Sequence, residues 1–367
     1  MINRRQFTLT LSGAVAFAAL KGLNVGAFQT WVSAAAAKLY RNAFVLDCNA
    51  LASIGLIKEE GLQAVRESGL TVVKSTLGGY GAGFEETLYD ICNADRLIED
   101  HPDLFLKIRV PGDFDRVKQQ RKLGVIYSFE AATPLEDKVD RVELFRNLGV
   151  RVMQLSYNRR SPFGVGCLDG ETGGLTDLGR QAIARMNEQG VALDLSHANT
   201  QTTAEGIVAS KRSPVITHTG CRAVYQHPRN KEDRELKALA DKGGVIGIYM
   251  LPYLTASPKQ PGVDDYMAHL EHALKVCGED HVGVGTDVPF LPVTAEDLAN
   301  MRKSVEQRKA AGVSAPGEDR PPYIPEMNTP RKMEIIADAM LKRRYSPRVV
   351  EKILGTNFRR VFREIWG

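Results

Sequence analysis

Several features that define other protein classes are missing or scarce in this 367-residue chain. Its five cysteines include no Cys-x-x-Cys pair, so their spacing indicates neither a zinc knuckle nor a disulfide framework. The net charge is only +4, without a dense run of Lys and Arg, which argues against nucleic-acid binding. The composition is otherwise that of a globular protein, with 43% hydrophobic and 25% charged residues, long enough for one large domain or two small ones.

The apolar run near the N-terminus is too short to span a membrane comfortably. It lies in MINRRQFTLTLSGAVAFAAL, where Arg4 and Arg5 precede it and Lys21 follows it. Paired arginines before a mildly apolar segment resemble a twin-arginine export signal, and small residues at 34–37 offer cleavage sites. The sequence therefore predicts an export signal over residues 1–37, export by the twin-arginine translocase, and a periplasmic or secreted protein.

From residue 43 onward, short apolar strands alternate with amphipathic helical segments. The strand candidates are AFVLDCN, LTVVKSTL, GVIYSFEA, RVMQLSYN, VALDLSHAN, PVITHTG, GVIGIYML and VGVGTDV. Intervening segments such as TDLGRQAIARMNEQG have helical spacing and end in Gly, as helices often do. These strand-helix units predict an α/β fold, a (β/α)8 TIM barrel over residues 38–367. A doubly wound sheet is the alternative, but DCNALAS lacks the glycines of its usual phosphate loop.

Residues 290–330 interrupt this alternation. The stretch VSAPGEDRPPYIPEMNTP is rich in proline and charge and predicts a long loop after the eighth strand. Long loops in compact domains often serve as lids, so we expect this one to cover the mouth of the barrel.

Polar side chains stand where the predicted strands end, and the carboxyl ends of barrel strands carry catalytic groups. These residues are Asn49, Glu130, Tyr157, His197, His218 and Asp287. Each alone has a structural explanation, such as a hydrogen-bonded histidine or a helix cap. Together, two imidazoles and two carboxylates at one mouth would be costly to bury without a counter-charge. Neutral imidazoles with a carboxylate are typical ligands of a catalytic Zn²⁺, so the pattern predicts a metal site.

Four other histidines lie in helical or connecting segments, and we interpret them as surface or packing residues. They are His101, His269, His272 and His281.

From about residue 120 onward, the motifs resemble the membrane (renal) dipeptidase family of zinc peptidases, which are barrels of the metallo-dependent hydrolase type. SFEAATPLED resembles the strand with a metal-bridging glutamate, here Glu130. GGLTDLGRQAIARMNEQGVALDLSHAN and SPVITHTGCRAVYQHPRN resemble the stretches with ligand histidines, here His197 and His218. The resemblance implies that Arg229 holds the substrate carboxylate and that Asp287, in HVGVGTDV, is the acid/base aspartate.

The first strand departs from the family pattern Asp-Gly-His-Asn-Asp. It reads DCNAL, so Asn49 replaces a ligand histidine and Leu51 replaces a ligand aspartate. Cys48 is expected to point to the opposite side of the strand and is kept only as an alternative thiolate ligand. In LSYNRRSP, Tyr157 stands where the family often has a histidine that polarises the scissile carbonyl, and a phenol can also donate to an oxyanion.

The resemblance implies a dipeptidase that hydrolyses small dipeptides with a zinc-activated water, and the predicted signal adds export. Because the first strand has lost two ligands, we expect one Zn²⁺ where the family has two. The expected site residues are Glu130, His197 and His218 for the metal, Asp287 and Tyr157 for catalysis, and Arg229, Tyr157 and Asn49 for substrate binding.

Two other functions stay open. One is a tailoring enzyme that modifies a small peptide or siderophore on the same scaffold with a remodelled metal site. The other is a non-catalytic small-peptide binding protein. The expected partners are a small peptide with a free carboxylate and the translocase, but no nucleic acid, and a homodimer is open as an alternative to a monomer.

Overall fold

The computed structural model describes residues 32–50, 54–78, 81–170, 172–289 and 291–367. The strands in these ranges are β1 Leu46–Ala50, β2 Val72–Thr76, β3 Phe105–Lys107, β4 Leu123–Phe129, β5 Val150–Gln154, β6 Ala192–Asp194, β7 Ile216–Thr219, β8 Ile246–Ile248 and β9 Val282–Val284. All eight predicted strands are present among them. The additional strand, β3, has three residues and was not among the predicted strands.

The strands pair in parallel and close into a barrel. One sheet has the order β1-β2-β4-β5-β6 with β3 beside β4, and a second has the order β7-β8-β9. Two parallel bridges join the sheets, one between Asp194 and Val215 and one between Ala50 and Val288. The predicted (β/α)8 barrel is confirmed, and its strands end at a common mouth.

Helices connect the strands and cover the barrel. They are α1 Ala34–Asn42, α2 Glu59–Ser68, α3 Phe84–Asp100, α4 Asp113–Gln120, α5 Arg141–Asn147, α6 Asp177–Gln189, α7 Thr200–Ala209, α8 Asp233–Asp241, α9 Val263–Cys277, α10 Ala295–Ala310, α11 Lys332–Lys342, α12 Pro347–Glu351 and α13 Asn357–Trp366. Local chemistry sets their ends: Thr176 caps α6 through its side chain, and Gly190, at φ +60°, ends it. None of the described helices combines the length and the apolar character that crossing a bilayer requires.

Helix α1 lies across the boundary predicted after residue 37. The Ser33 hydroxyl caps the helix by accepting from the backbone N–H of Ala36 at 3.2 Å. The Ser33 backbone N–H donates to Asp338 of α11 at 2.9 Å, and Tyr40 is buried. The packed part of the chain therefore starts earlier than the predicted residue 38. The twin-arginine motif lies outside the described residues, so export stays a prediction.

The predicted loop over residues 290–330 contains helix α10. A capping box starts this helix: the Thr294 hydroxyl accepts from Asp297 N at 3.1 Å, and the Asp297 carboxylate accepts from Thr294 N at 2.9 Å. Asp297 is the buried residue of this helix, so AEDLANMRKSVEQRKA lacks the apolar stripe that marks a packed helix in a sequence. Only the proline-rich second half of the segment therefore has the predicted irregular character.

The barrel interior is apolar near the start of the strands and polar above. One buried cluster contains residues of α13 together with residues in or just before seven strands: Leu46, Val72, Ile126, Val152, Ala192, Val215 and Val245. Because strand side chains alternate between two faces, residues two positions further along share the same face. Five of those seven positions hold polar side chains that we call the polar layer: Lys74, Ser128, Gln154, Asp194 and Thr217. The other two positions hold Cys48 and Gly247. The polar layer lies between the apolar cluster and the mouth of the barrel.

Candidate metal centre

Three potential metal ligands converge at the mouth of the barrel. Ligand atoms of Glu130, His218 and Asp287 all lie within 4.8 Å of one another. Glu130 follows β4, His218 lies in β7, and Asp287 follows β9. His218 is fully buried, and Asp287 is 8% exposed. An imidazole with carboxylates is a donor set that suits zinc.

His197, which follows β6, stands beside this group. Its Nε2 lies 3.0 Å from Nε2 of His218. The Arg229 guanidinium donates from Nη2 to the same His197 nitrogen at 3.1 Å. The structure therefore places His197 and His218 side by side, as predicted. It differs from the prediction in two contacts: Asp287 lies among the converging ligand atoms, and Arg229 is hydrogen-bonded to the His197 nitrogen that a metal would use.

The side chain of Asn158 fixes the tautomer of His197. Asn158 Nδ2 donates to the carbonyl of Val313 at 2.9 Å, which directs its Oδ1 toward His197 Nδ1 at 2.8 Å. Because an amide oxygen can only accept, His197 carries its proton on Nδ1. Its Nε2 therefore carries the lone pair, which accepts from Arg229 in this structure.

Thr217 of the polar layer sets the tautomer of His218. The Thr217 hydroxyl donates to Asp194 Oδ2 at 2.6 Å, so it accepts from His218 Nδ1 at 2.9 Å. Burial, followed by the charge of Arg229, holds the pKa of both His197 and His218 well below the usual range. Two neutral imidazoles thus present Nε2 lone pairs to one place, which fits a bound zinc ion.

Asp287 has an unusual backbone and a perturbed carboxyl group. Its φ of +57° lies in the left-handed region that few residues other than Gly adopt. Its backbone N–H donates to the carbonyl of Asn49 at 2.6 Å, which ties it to the end of β1. Burial, followed by the charge of Glu130, raises the pKa of Asp287 to about 7. Backbone strain together with a perturbed pKa is typical of a functional position.

Asn49 is predicted to bind substrate, but in the structure its side chain contacts other residues of the site. Its Nδ2 donates to Glu130 Oε1 and to Asp287 Oδ1, at 2.8 Å each, so both amide hydrogens are used. Its Oδ1 accepts from Lys74 Nζ at 2.6 Å, and the side chain is fully buried. We therefore interpret Asn49 as a residue that positions the two carboxylates.

Lys74 is a site residue that the sequence analysis did not identify. It belongs to the polar layer, is fully buried, and also donates to the Ser128 hydroxyl at 3.1 Å. A signal was present in LTVVKSTL, where one charged residue interrupts a strand pattern. Lys74 lies within β2 and not at a strand end, where functional groups of a barrel are expected.

Leu51, the second replacement in the first strand, lies outside the described residues. Cys48 is fully buried in the apolar cluster that contains Leu46 and Val72. Burial raises the pKa of the Cys48 thiol well above its usual value, and a protonated thiol is a poor metal ligand. The alternative thiolate ligand is therefore not supported. All five cysteines are free of disulfide bonds.

The predicted residues Tyr157 and Arg229 border the histidine pair. The Tyr157 ring stacks on His197 with centroids 4.2 Å apart. Its hydroxyl accepts from Arg308 of α10 at 3.3 Å. Arg229 is 2% exposed and donates from Nη1 to the Ser196 carbonyl at 2.6 Å.

The segment after α10 is held against the loops that surround this site. Arg320 donates from Nη1 to the carbonyls of Thr255 and Lys259, at 3.0 and 2.6 Å. His227, which the sequence analysis did not consider, donates from Nε2 to the Pro316 carbonyl at 2.9 Å. Its Nδ1 accepts from the backbone N–H of Arg229 at 3.2 Å, and burial lowers the pKa of His227 to about 4. His227 therefore connects this segment to Arg229.

The other histidines make the contacts expected of packing or surface residues. His269 accepts from Cys221 N at 2.8 Å, His272 lies 2.7 Å from Asp233, and His281 donates to the Gly244 carbonyl at 2.8 Å. His101 ends α3.

The barrel and its carboxylate-histidine site define a protein of the metallo-dependent hydrolase class. The family model of membrane dipeptidase (peptidase family M19) matches residues 49–308, and the chain belongs to this family. Among solved structures, an amidohydrolase from Pseudomonas aeruginosa is 31% identical, with a TM-score of 0.80 over 90% of this chain and 99% of that chain. A metallo peptidase from Rhodobacter sphaeroides is 19% identical and has the same fold, with a TM-score of 0.72 over 88% of this chain and 99% of that chain.

Two curated relatives carry the name dipeptidase. Dipeptidase tcpJ of Claviceps purpurea is 25% identical over 291 residues, which are 77% of this chain and 61% of the relative. An uncharacterized dipeptidase of Schizosaccharomyces pombe is 28% identical over 189 residues, which are 50% of this chain and 45% of the relative. The matches thus span less than two thirds of the length of either relative.

Proposed function

We propose that the protein is an exported metal-dependent dipeptidase that hydrolyses small dipeptides with a free carboxylate. The observation that carries this proposal is the convergence of Glu130, His218 and Asp287 within 4.8 Å, with His197 Nε2 beside His218. Membership in the membrane dipeptidase family supports the same conclusion. The export part rests on the twin-arginine motif alone.

Glu130, His197 and His218 are the residues that would hold one ion. Two imidazoles and one carboxylate form a known zinc-hydrolase donor set that leaves a position for water. A zinc ion bound there would lower the pKa of that water to about 7. Arg229 donates to His197 Nε2 in this structure, so its guanidinium would have to release that nitrogen for an ion to bind there.

The remaining side chains handle the proton and the substrate. Asp287 accepts the proton of the attacking water and passes it to the leaving amine. Tyr157, whose hydroxyl is held by Arg308, donates to the oxyanion. Arg229 binds the substrate carboxylate with two parallel hydrogen bonds, because its planar guanidinium matches that group. Helix α10 and the segment after it exclude bulk water and longer peptides.

A panel of dipeptides with added zinc tests this function. We expect cleavage of free dipeptides and much weaker cleavage of the same dipeptides amidated at the C-terminus, which is the matched control for Arg229. The Rhodobacter sphaeroides metallo peptidase was solved with a phosphinate mimic of L-Ala-D-Ala, and this compound is a suitable inhibitor to try. Elemental analysis of zinc-replete protein that finds no bound metal would contradict the proposal.

A second candidate is a tailoring enzyme acting on another small peptide metabolite. The observation that favours it is the Asn49–Lys74 pair, which alters the end of the first strand. Metal-dependent conversion of such a metabolite, with dipeptides left intact, would support it. Peptide binding without turnover would instead indicate a non-catalytic binding protein.

A further inference from the structure

We propose that Lys74 is an internal cation of the metal centre, which balances Glu130 and Asp287 and limits the centre to one divalent ion. This inference rests on the proposed function and deepens it. Lys74 is fully buried and acts through Asn49, so it is a positioning residue.

Both hydrogen-bond partners of Lys74 Nζ act as acceptors, which suits an ammonium group because it has donors only. Its Nζ lies 2.6 Å from Asn49 Oδ1, which can only accept, and 3.1 Å from the Ser128 hydroxyl. The Ser128 hydroxyl gives its own hydrogen to the Ser75 carbonyl at 2.9 Å, so its lone pairs face Lys74. The lysine therefore donates to both partners, and with no exposed surface it has no bulk water to stabilise its charge.

Asn49 transmits this charge to the two carboxylates. Glu130 Oε1 and Asp287 Oδ1 accept from the same Asn49 Nδ2, each at 2.8 Å. Two carboxylates that share one neutral donor need a positive charge nearby. Lys74 withdraws electron density through Asn49 Oδ1, which makes Nδ2 a stronger donor to both acids. The chain from Lys74 through Asn49 thus holds Glu130 and Asp287 in place.

The same arrangement disfavours a second divalent ion beside Asn49. The amide presents hydrogens, not lone pairs, to the carboxylates. An ion there would also lie near the ammonium group, and like charges in a buried site repel each other strongly. For the ion held by Glu130 and His218 this repulsion is also present, so Lys74 weakens zinc binding while it orders the site.

The test uses two substitutions that separate charge from hydrogen bonding. Lys74→Gln keeps a donor for Asn49 without the charge, and Lys74→Arg keeps the charge. Lys107→Gln is the matched control, because Lys107 of β3 is partly buried and paired with Asp95 at 2.7 Å outside the site. Zinc affinity is measured by competition with a chelator, and kcat and KM are measured on one dipeptide.

We expect Lys74→Gln to bind zinc at least about tenfold more tightly, because a repelling charge is removed, while kcat falls at least about tenfold with little change in KM. Lys74→Arg should keep the wild-type zinc affinity, as should Lys107→Gln. A merely structural lysine would give weaker zinc binding on substitution, because the ligands would lose their order. If Lys74→Gln does not fold, Lys74→Met replaces it as the uncharged variant of similar length.

The outcomes distinguish this inference from the proposed function. Wild-type protein that binds one zinc, with a Lys74→Gln variant that binds it no more tightly, would overturn the role of Lys74 alone. Wild-type protein that binds no divalent ion would overturn the proposed function and the inference with it.

Discussion

His197 and His218 present neutral nitrogens to an ion because other side chains hold their protons. Asn158 accepts from Nδ1 of one ring and Thr217 from Nδ1 of the other. Such outer contacts fix ring orientation and raise the basicity of the ligand nitrogen. Metal binding is therefore expected to depend on Asn158 and Thr217 as well as on the ligands.

We expect His218→Ala and His197→Ala each to abolish zinc binding. In the proposed site of Glu130, His197 and His218, each variant leaves two protein ligands, which rarely retain zinc against a chelator, since ligand count and geometry determine affinity. His272→Ala is the control, because His272 contacts Asp233 at the surface. Zinc is counted by elemental analysis after dialysis. Full occupancy in either ligand variant would show that its histidine is structural.

Arg229→Lys should raise KM for carboxylate-bearing dipeptides at least about tenfold, because one charge-assisted hydrogen bond of a pair is lost. Lysine keeps the charge but not the planar fork. Zinc content should stay at the wild-type level. An unchanged KM would exclude Arg229 from carboxylate binding.

At the scale of elements, helix α10 and the segment after it form a cover held by specific contacts with the strand loops. Asn158, which follows β5, donates to the Val313 carbonyl, and His227, which follows β7, donates to the Pro316 carbonyl. From the cover, Arg320 donates to the carbonyl of Thr255, which follows β8. The cover thus touches residues that also support His197 and Arg229. Its position is coupled to the geometry of the site.

Arg320→Ala should loosen this cover, because two carbonyl groups lose a charged donor, at a cost of about 1–3 kcal/mol. We expect faster proteolytic cleavage within residues 311–322 and a higher kcat/KM for tripeptides relative to dipeptides. Arg302→Ala, on the polar helix α10, is the control for loss of an arginine in the cover. Unchanged selectivity, despite faster proteolysis, would mean that the cover does not set substrate length.

For the molecule as a whole, the number of zinc ions per chain tests whether the altered first strand has removed one metal site. We expect about one zinc per wild-type chain, since ligand count sets occupancy. Asn49→His with Leu51→Asp restores the family pattern, but Lys74 would still repel a second ion. The double variant should therefore stay near one zinc, and adding Lys74→Gln should raise the content toward two. Two zinc ions at full occupancy in the wild type would contradict the single-zinc site.

The barrel was predictable because buried strands require runs of apolar residues, and PVITHTG and VALDLSHAN carry their histidines at visible strand ends. Helix α10 was not predictable, because it packs few residues and has no apolar stripe. Lys74 was missed because its role depends on contact with Asn49, which follows another strand. The approach of Arg229 to His197 depends on side-chain conformation, which spacing does not encode.

The two halves of the barrel interior are under different evolutionary constraints. The apolar end, closed by Phe358 and Phe362 of α13, is separated from the mouth by the polar layer. Substitutions at that end would change the folding stability of the protein, and therefore its abundance in the cell. Substitutions above the polar layer would act on chemistry in the molecules that fold. A lineage can therefore acquire a new substrate at the mouth while drawing stability from independent changes below, and laboratory selection can address each half in turn.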